Sequence, residues 1–299
     1  MSLLVVGSIA FDSVKTPERE VTEVLGGSSV YFAWAASFFG PVRVAGVVGA
    51  DFPQKYLDEM TARGIDGSGG VHLSGKTFRW KGSYEGAMNE ATTLAVELNV
   101  LGQFDGSIPQ AFVDSRYVFL ANGPPAVQHR IIDQVKAPKL IVADTMNHWI
   151  RDTKDELKRL LSRVDGVVMN DQEVRYYTGD SNLPRGGRKL LEGGPRFIVI
   201  KKGEHGSLLV MKDEFFAVPA YPCTDVKDPT GAGDSFAGGM MGHLARVGDT
   251  SPAELKRAIA YGTVVASINV EGFSLERFKV TSFADVEKRY EQFRRMMAF

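Results

Sequence analysis

Short runs of apolar residues recur along the chain and alternate with longer stretches that have helical spacing. The runs contain few polar positions, which is typical of strands buried on both faces of a mainly parallel sheet. We predict such strands at Leu3 to Val6, Val42 to Val48, Tyr117 to Ala121, Leu140 to Ala143, Val164 to Met169 and Phe197 to Lys201. The stretches between them predict helices at Tyr31 to Phe39, Gln54 to Arg63, Val127 to Val135, Thr153 to Leu161 and Pro252 to Val270. The pattern therefore predicts an α/β fold with a mainly parallel sheet sandwiched between helices.

Two segments break this rhythm because apolar and polar residues alternate in them: Ser13 to Leu25 and Thr77 to Leu98. Period-two alternation predicts strands with one solvated face. We interpret the two segments as a small antiparallel β lid over the carboxyl edge of the large sheet, where α/β proteins bind ligands. Ordinary surface hairpins are the alternative. The predicted body comprises residues 1–12, 29–75 and 105–299, and the predicted lid comprises residues 13–28 and 76–104.

The charge of the chain limits which partners it can bind, and its cysteine content indicates the cellular compartment. The 299 residues carry 35 Lys plus Arg against 36 Asp plus Glu, a net charge of -1, so the composition argues against binding to nucleic acid or an anionic membrane surface. The single cysteine, Cys223, cannot form an internal disulfide, which fits a reducing compartment. Leu3 to Val6 lacks the flanking pattern of a signal peptide, and no apolar run approaches the roughly 18 residues of a membrane span. We expect a cytoplasmic protein.

The strongest candidate for chemistry is the segment from Asp228 to Phe236, which reads DPTGAGDSF and precedes a helical pattern. Gly231 and Gly233 permit a tight turn with accessible N–H groups, and the helix that follows adds the positive end of its dipole. These features predict an anion site. A carboxylate at Asp234 would repel a phosphate there unless it takes a proton from the attacking nucleophile. The alternative is a glycine turn in which Asp234 is the helix N-cap.

Asp228 to Asp234 resembles the second signature of the ribokinase-like (PfkB-type) family of carbohydrate and nucleoside kinases, with Pro229 in place of a threonine. Gly7 with Asp12, Gly26-Gly27-Ser28, and Val47 to Asp51 resemble earlier family motifs and follow in the family's order. The resemblance implies a Rossmann-type three-layer fold and an ATP- and Mg²⁺-dependent kinase. It also implies that Asp234 is the catalytic base and that the amides of Gly231, Ala232 and Gly233 form its anion hole.

The resemblance further implies which residues bind the nucleotide. Asn170 and Glu173, directly after a predicted strand, resemble the family's Asn-x-x-Glu motif, which helps to place Mg²⁺; Glu173 would act through water. The same spacing is also a helix capping box, and both readings can hold. Lys201 to Gly206 resembles the family's nucleotide loop, in which either Lys201 or Lys202 could reach phosphates. The nucleotide-binding candidates are Asn170, Glu173, Lys201, Gly203, Gly206 and Thr230. Family members often use a monovalent cation near Asp228, so K⁺ is a further candidate cofactor.

The resemblance gives Asp12 as a ligand of acceptor hydroxyls, with Gly27 and Ser28 beside it. Tyr31 stands near the place of an asparagine that often contacts the sugar, so the pocket departs from that of a typical ribokinase. Asn122 and Asn147, like Asp144, follow predicted strands and are candidate hydroxyl ligands, although turn roles are equally compatible. A free sugar is the favoured acceptor. A nucleoside is next, since Tyr31 and the lid aromatics Phe78, Trp80 and Tyr84 could stack on a base.

Two alternative functions remain open, and the oligomeric state is a separate question. Gly70 to Thr77 matches the P-loop pattern letter for letter, and a P-loop phosphotransferase would use Lys76. The secondary structure predicted around this segment does not fit a P-loop, which needs a strand before it and a helix after it. We predict a loop over Gly64 to Gly70 and a strand from Phe78. A non-catalytic sugar- or nucleotide-binding relative is the second alternative, and the retained Asp234 argues against it. An exposed lid face bearing Phe78 and Trp80 would favour a homodimer, although packing within one chain is compatible with both aromatics.

Overall fold

Thirteen strands and eleven helices are present in the computed structural model, which describes residues 2–298. In chain order the strands are β1 Leu3–Val6, β2 Ala10–Lys15, β3 Glu20–Gly26, β4 Val42–Gly49, β5 Ile65–Leu73, β6 Phe78–Tyr84, β7 Ala91–Glu97, β8 Tyr117–Leu120, β9 Leu140–Asp144, β10 Gly166–Asn170, β11 Phe197–Lys201, β12 Ser207–Met211 and β13 Phe215–Val218. The helices are α1 Ser28–Ala36, α2 Gln54–Ala62, α3 Pro125–Gln134, α4 Asn147–Asp152, α5 Lys154–Leu161, α6 Asp171–Thr178, α7 Leu183–Leu191, α8 Ala232–Val247, α9 Pro252–Asn269, α10 Glu276–Val280 and α11 Phe283–Met296.

The large sheet has the strand order β13-β12-β11-β10-β9-β8-β1-β4-β5. The strands from β11 to β5 pair in parallel, and only β12 and β13 pair antiparallel. Leu3 of β1 lies beside Val42 on one side and Tyr117 on the other, so the central register joins buried side chains. Because the parallel strands end at one edge, the loops that follow them meet there. The predicted α/β fold is confirmed.

Helices cover both faces of this sheet and bury two apolar clusters. On one face Phe32 of α1 stacks on Phe119 of β8, with ring centroids 4.5 Å apart. On the other face Leu157 of α5 and Leu190 of α7 are buried against Ile198 of β11. Each such side chain contributes about 1.5–3 kcal/mol on burial. The clusters fix the strands and therefore the position of the loops at the carboxyl edge.

The second sheet, called the lid below, has the order β3-β2-β6-β7. It consists of two antiparallel hairpins, β2–β3 and β6–β7, whose inner strands β2 and β6 pair in parallel. Every residue of β7 is exposed, whereas Asp12 and Val14 of β2 are buried. The division of the chain into a body and a lid stays our interpretation of this arrangement.

One segment differs from the sequence-based expectation. Residues 64–70 were expected to form a loop, but Ile65–Leu73 is an edge strand parallel to β4. Its glycines serve close packing, because a Cβ at Gly69 would lie 2.5 Å from the Phe112 ring. No helix opens at Lys76 and Thr77; Thr77 Oγ1 instead donates to Asp51 Oδ1 at 2.7 Å, just before β6. The segment from Gly70 to Thr77 therefore lacks the strand–loop–helix geometry of a P-loop, and Lys76 is exposed.

Across residues 2–298, none of the helices combines the length and the apolar character that crossing a membrane requires.

Candidate active site

The turn Gly231–Gly233, called the anion turn below, leads into α8 at the carboxyl edge of the large sheet. Gly231 has φ of 74°, a conformation that favours glycine, and a Cβ there would lie 2.2 Å from Cγ of Tyr31. The first backbone amides of α8 have no partner within the helix, so they and the helix dipole favour an anion at this point. Gly231, and not Asp234, is the N-cap residue of α8. The alternative in which Asp234 is the N-cap is therefore wrong.

Asp234 lies in the first turn of α8 and is half-buried. Burial and the negative charges of Asp144 and Asp12 raise the pKa of Asp234 to about 8, although Lys201 opposes the rise. With such a pKa the carboxyl group is mostly protonated at pH 7, but its ionised form is a stronger base than an ordinary aspartate. The group is therefore suited to act as a general base.

Asp12 comes from β2 of the lid and is 4% exposed. Its Oδ2 accepts a hydrogen bond from the backbone N–H of Gly27 at 3.3 Å. Burial and the charge of Asp228 raise the pKa of Asp12 to about 7 against the effect of the Gly27 bond. Gly27 thus orients Asp12, while the Ser28 hydroxyl pairs with Ser8 Oγ at 3.0 Å and fixes the start of α1.

Two tyrosines lie between Asp12 and the anion turn. Tyr31 of α1 is 1% exposed, and its hydroxyl has no hydrogen-bond partner among the described residues. Burial and the charge of Asp12 raise the pKa of Tyr31 well above its ordinary value, so the hydroxyl keeps its proton. Tyr84, at the end of lid strand β6, accepts a hydrogen bond from Thr230 Oγ1 at 3.3 Å. The alternating aromatic pattern of the lid pointed to Tyr84, but the pattern could not show that it reaches Thr230.

On the opposite side, the ends of β9, β10 and β11 bring three charged side chains together. Lys201 Nζ lies 3.6 Å from Asp144 Oδ2 and 2.9 Å from the point where a Cβ of Gly233 would lie. Burial and the charge of Asp144 raise the pKa of Glu173 to about 7. Of the two candidate lysines, Lys201 is therefore the one beside the anion turn. The link between Asp144 and Lys201 was not predicted.

Asn170 and Glu173 form a complete capping box at the start of α6. Asn170 Oδ1 accepts from the Glu173 N–H at 2.8 Å, and Glu173 Oε2 accepts from the Asn170 N–H at 2.7 Å. The structural reading of this motif is thus present, and it leaves Glu173 Oε1 without a protein hydrogen bond among the described residues. The motif can therefore cap the helix and still present a carboxylate oxygen.

Gly203 and Gly206 enclose a short 3₁₀ turn after β11, closed by a bond from the Lys202 N–H to the Gly206 carbonyl at 2.8 Å. The lid touches this turn, since Asn89 Nδ2 donates to Glu204 Oε1 at 2.8 Å.

Asn122 and Asn147 are less closely tied to this group of residues. Asn122 Oδ1 accepts a hydrogen bond from Trp149 Nε1 at 2.9 Å. Asn147 is exposed at the start of α4. Within residues 2–298 neither side chain forms a hydrogen bond with another candidate residue.

The sequence profile of the pfkB family carbohydrate kinases matches residues 2–277 of this chain. The chain belongs to this family. A cytidine kinase of Thermococcus kodakarensis is 28% identical over 253 residues, covering 82% of this chain and 89% of that protein. A nucleoside kinase of Methanothermobacter thermautotrophicus is 25% identical over 298 residues, covering 90% of this chain and 89% of that protein. The protein is therefore a phosphotransferase that acts on sugars or nucleosides.

Solved structures agree with the fold of this kinase. The nucleoside kinase of Methanocaldococcus jannaschii superimposes with a TM-score of 0.79 at 19% identity and covers 97% of this chain and 98% of its own. A structure described as a putative ribokinase II from E. coli, in complex with ATP and Mg²⁺, gives a TM-score of 0.80 at 19% identity, covering 97% and 99% of the two chains. These similarities confirm the ribokinase-like fold.

The kinase's donor groups fit the cations that the family implies. Within residues 2–298 no three His, Cys, Asp or Glu side chains are grouped so that they could hold a metal ion. Asp228 Oδ1 accepts the Thr230 N–H at 2.9 Å, but its Oδ2 is buried without a partner. Asn269 Nδ2 donates to the Thr230 carbonyl at 2.8 Å, and its Oδ1 is likewise buried without a partner. Two buried oxygens without partners fit a monovalent cation beside this turn.

Proposed function

We propose that the protein is an ATP-dependent nucleoside kinase, in which Asp234 is the general base. The observation that carries the proposal is the position of Asp234: it is half-buried in the first turn of α8, directly after the anion turn, where the charges of Asp12 and Lys201 act on it. The relatives that span most of the chain carry the names cytidine kinase and nucleoside kinase, which favours a nucleoside over the free sugar preferred from sequence alone. The buried aromatic pair of Tyr31 and Tyr84 at the site supports this choice.

In the proposed mechanism, Asp234 removes the proton from an acceptor hydroxyl, whose oxygen then attacks the γ-phosphorus of ATP. The P–O bond to the leaving ADP oxygen breaks as the new bond forms, and the amides of the anion turn stabilise the developing charge. The Lys201 ammonium adds a positive charge beside Gly233. Mg²⁺ would neutralise phosphate charge when bound, and Asn170 and Glu173 would hold its water shell.

Asp12 and the lid prepare the acceptor for this step. Asp12, oriented by the Gly27 N–H, accepts hydrogen bonds from acceptor hydroxyls. The lid excludes water, which competes as phosphoryl acceptor, and it contacts the body through Tyr84 with Thr230 and Asn89 with Glu204.

The direct test is a coupled ADP-release assay with ATP and Mg²⁺ over nucleosides, free pentoses and free hexoses. Wild type, Asp234→Asn and the control Asp213→Asn are compared; Asp213 is exposed in the β12–β13 turn. We expect turnover with a nucleoside that is lost in Asp234→Asn and unchanged in the control. Turnover with free sugars alone would favour the carbohydrate kinase alternative. Ligand-induced thermal stabilisation with no turnover would favour a non-catalytic relative.

We also propose a K⁺ site, which rests on Asp228 Oδ2 and Asn269 Oδ1, two buried oxygens without a partner among the described residues. We expect K⁺ to raise kcat/KM of the wild type relative to a bulky organic cation at equal ionic strength. Asp228→Asn should weaken this response. Equal activity in both salts would contradict a K⁺ site.

A homodimer through the lid is supported by β7, which lies at the edge of the lid sheet. Phe78 and Trp80, on which the sequence-based expectation rested, are only half-buried and not exposed, whereas Leu94 and Val96 of β7 and Leu98 just after it are all more than half exposed. Light scattering should then give twice the chain mass, and Leu94→Lys with Val96→Lys should give monomers. A monomeric wild type would contradict this interface.

A further inference from the structure

Asp144 and Lys201 meet across the carboxyl end of β10. Asp144 ends β9 and Lys201 ends β11, and these strands flank β10 in the sheet. The Asp144 side chain is 8% exposed and that of Lys201 is 19% exposed, and their Oδ2 and Nζ atoms are 3.6 Å apart. A carboxylate and an ammonium so far removed from water interact more strongly than a surface pair.

The Asp144 carboxylate is fixed from more than one side. Its Oδ1 accepts a hydrogen bond from the Thr145 N–H at 2.8 Å. The Asp144 carbonyl accepts from Gln128 Nε2 at 3.1 Å, and Gln128 also donates to the carbonyl of Ala121 at 3.0 Å. One carboxylate oxygen is thus held by the backbone, and the other is directed at Lys201.

The lysine is the mobile partner of this pair. A lysine side chain has many rotamers, so its ammonium stays in one place only if a fixed group holds it. The place in question is the anion turn, since Nζ lies 2.9 Å from where a Cβ of Gly233 would be. Glycine at position 233 therefore leaves room for the ammonium beside the turn.

We propose that Asp144 is a positioning residue that holds the Lys201 ammonium over the anion turn, and that it is not a ligand of acceptor hydroxyls. The inference rests on the proposed function, in which the transferring phosphoryl group lies at that turn. It replaces the interpretation of Asp144 as a hydroxyl ligand, because both carboxylate oxygens already face protein groups.

Asp144 and Lys201 also shift the pKa of Asp234, the proposed base, in opposite senses. The titratable groups that interact electrostatically with Asp234 are Asp12 from β2, Tyr31 from α1, Tyr84 from β6, Asp144 from β9 and Lys201 from β11. The charge of Asp144 raises the pKa of Asp234, and the charge of Lys201 lowers it. Removing Asp144 alone should therefore move the acidic limb of the kcat/KM profile to lower pH, and removing Lys201 alone should move it to higher pH.

The test is a double-mutant cycle of Asp144→Asn and Lys201→Met, with steady-state kinetics for ATP and for the nucleoside acceptor. Asp144→Asn should lower kcat about tenfold and leave the acceptor KM within about twofold. Lys201→Met should lower kcat about 100-fold, and the double variant should match Lys201→Met within about twofold. Asp133→Asn, which removes the exposed partner of Arg163, is the control and should behave as wild type.

Two results would overturn the inference. Losses that multiply in the double variant would show that the residues act independently. A tenfold rise in acceptor KM with kcat unchanged in Asp144→Asn would show an acceptor ligand instead.

A second cycle measures the binding of a non-hydrolysable ATP analogue by calorimetry and does not depend on turnover. The two single variants should each weaken binding, and the double variant should be no weaker than Lys201→Met; independent losses would contradict the pairing. If the wild type phosphorylates no acceptor, the proposed function fails while this binding cycle still tests the pair. Should Asp144→Asn fail to fold, Asp144→Glu replaces it in both cycles. Because Glu keeps the charge, it should lower kcat less than Lys201→Met does, and an equal or larger loss would overturn the inference.

Discussion

The two sides of the site hold their carboxylates in different ways. On the proposed acceptor side, Asp12 is buried and bound to the backbone N–H of Gly27, and its pKa is raised to about 7. On the proposed nucleotide side, Asp144 faces the Lys201 ammonium at 3.6 Å. A carboxylate held by a neutral amide suits the recognition of hydroxyl groups, whereas a positioned ammonium suits phosphate. Asp234 lies between the two sides, and the charges of both act on its pKa.

The largest expected effect is that of replacing Asp234, which lies between the two sides. Asp234→Asn removes the base while keeping the size of the side chain, so kcat should fall by about 10³-fold. The binding of ATP and of the nucleoside should stay within a few-fold of wild type, as measured by calorimetry. A variant that loses binding together with turnover would assign Asp234 to ligand binding and not to proton transfer.

The nucleotide side offers a matched pair of lysines. Lys201→Met should lower kcat/KM for ATP by about 100-fold, because it removes a positive charge beside the anion turn. Lys202→Met, at the neighbouring position, should change it less than about threefold. Steady-state kinetics with ATP varied at saturating nucleoside measures both. Equal losses of kcat/KM in the two variants would contradict the assignment of Lys201, and not Lys202, as the lysine that acts on ATP.

The acceptor side should respond differently. Asp12→Asn keeps the shape of the side chain but weakens its hydrogen bonds to acceptor hydroxyls, so the acceptor KM should rise about 10- to 100-fold. The KM for ATP should stay nearly unchanged. Glu18→Gln, exposed in the β2–β3 turn of the same hairpin, is the control. A rise in the KM for ATP that equals the rise for the acceptor would contradict the separation of the two sides.

The smallest expected effect concerns the contact between the lid and the anion turn. Tyr84→Phe removes the hydroxyl that accepts from Thr230 and keeps the buried ring. The lost hydrogen bond corresponds to about 0.5–1.5 kcal/mol, or a fall of roughly two- to tenfold in kcat/KM. An increase in ATP hydrolysis without acceptor should accompany it, because the lid then closes less tightly. Unchanged hydrolysis would show that this contact does not help to exclude water.

Local sequence predicted much of the body because strands such as Leu3–Val6 and Phe197–Lys201 are continuous apolar runs with polar residues at their ends. It failed for Ile65–Leu73, where glycines that usually mark loops instead permit close packing against Phe112. The meeting of Asp144 with Lys201 depends on the order of β9, β10 and β11, and no local pattern encodes that order. The same is true of Tyr84 and Thr230, which are 146 residues apart in the chain.

The most direct test of the central claim is to identify the product. Wild type and Asp234→Asn are each incubated with ATP, Mg²⁺ and an equimolar mixture of nucleosides, free pentoses and free hexoses, and the products are analysed by mass spectrometry. We predict a nucleoside monophosphate in the wild-type reaction and almost none with Asp234→Asn. A phosphorylated free sugar in place of the nucleotide, or an undiminished yield with Asp234→Asn, would contradict the account.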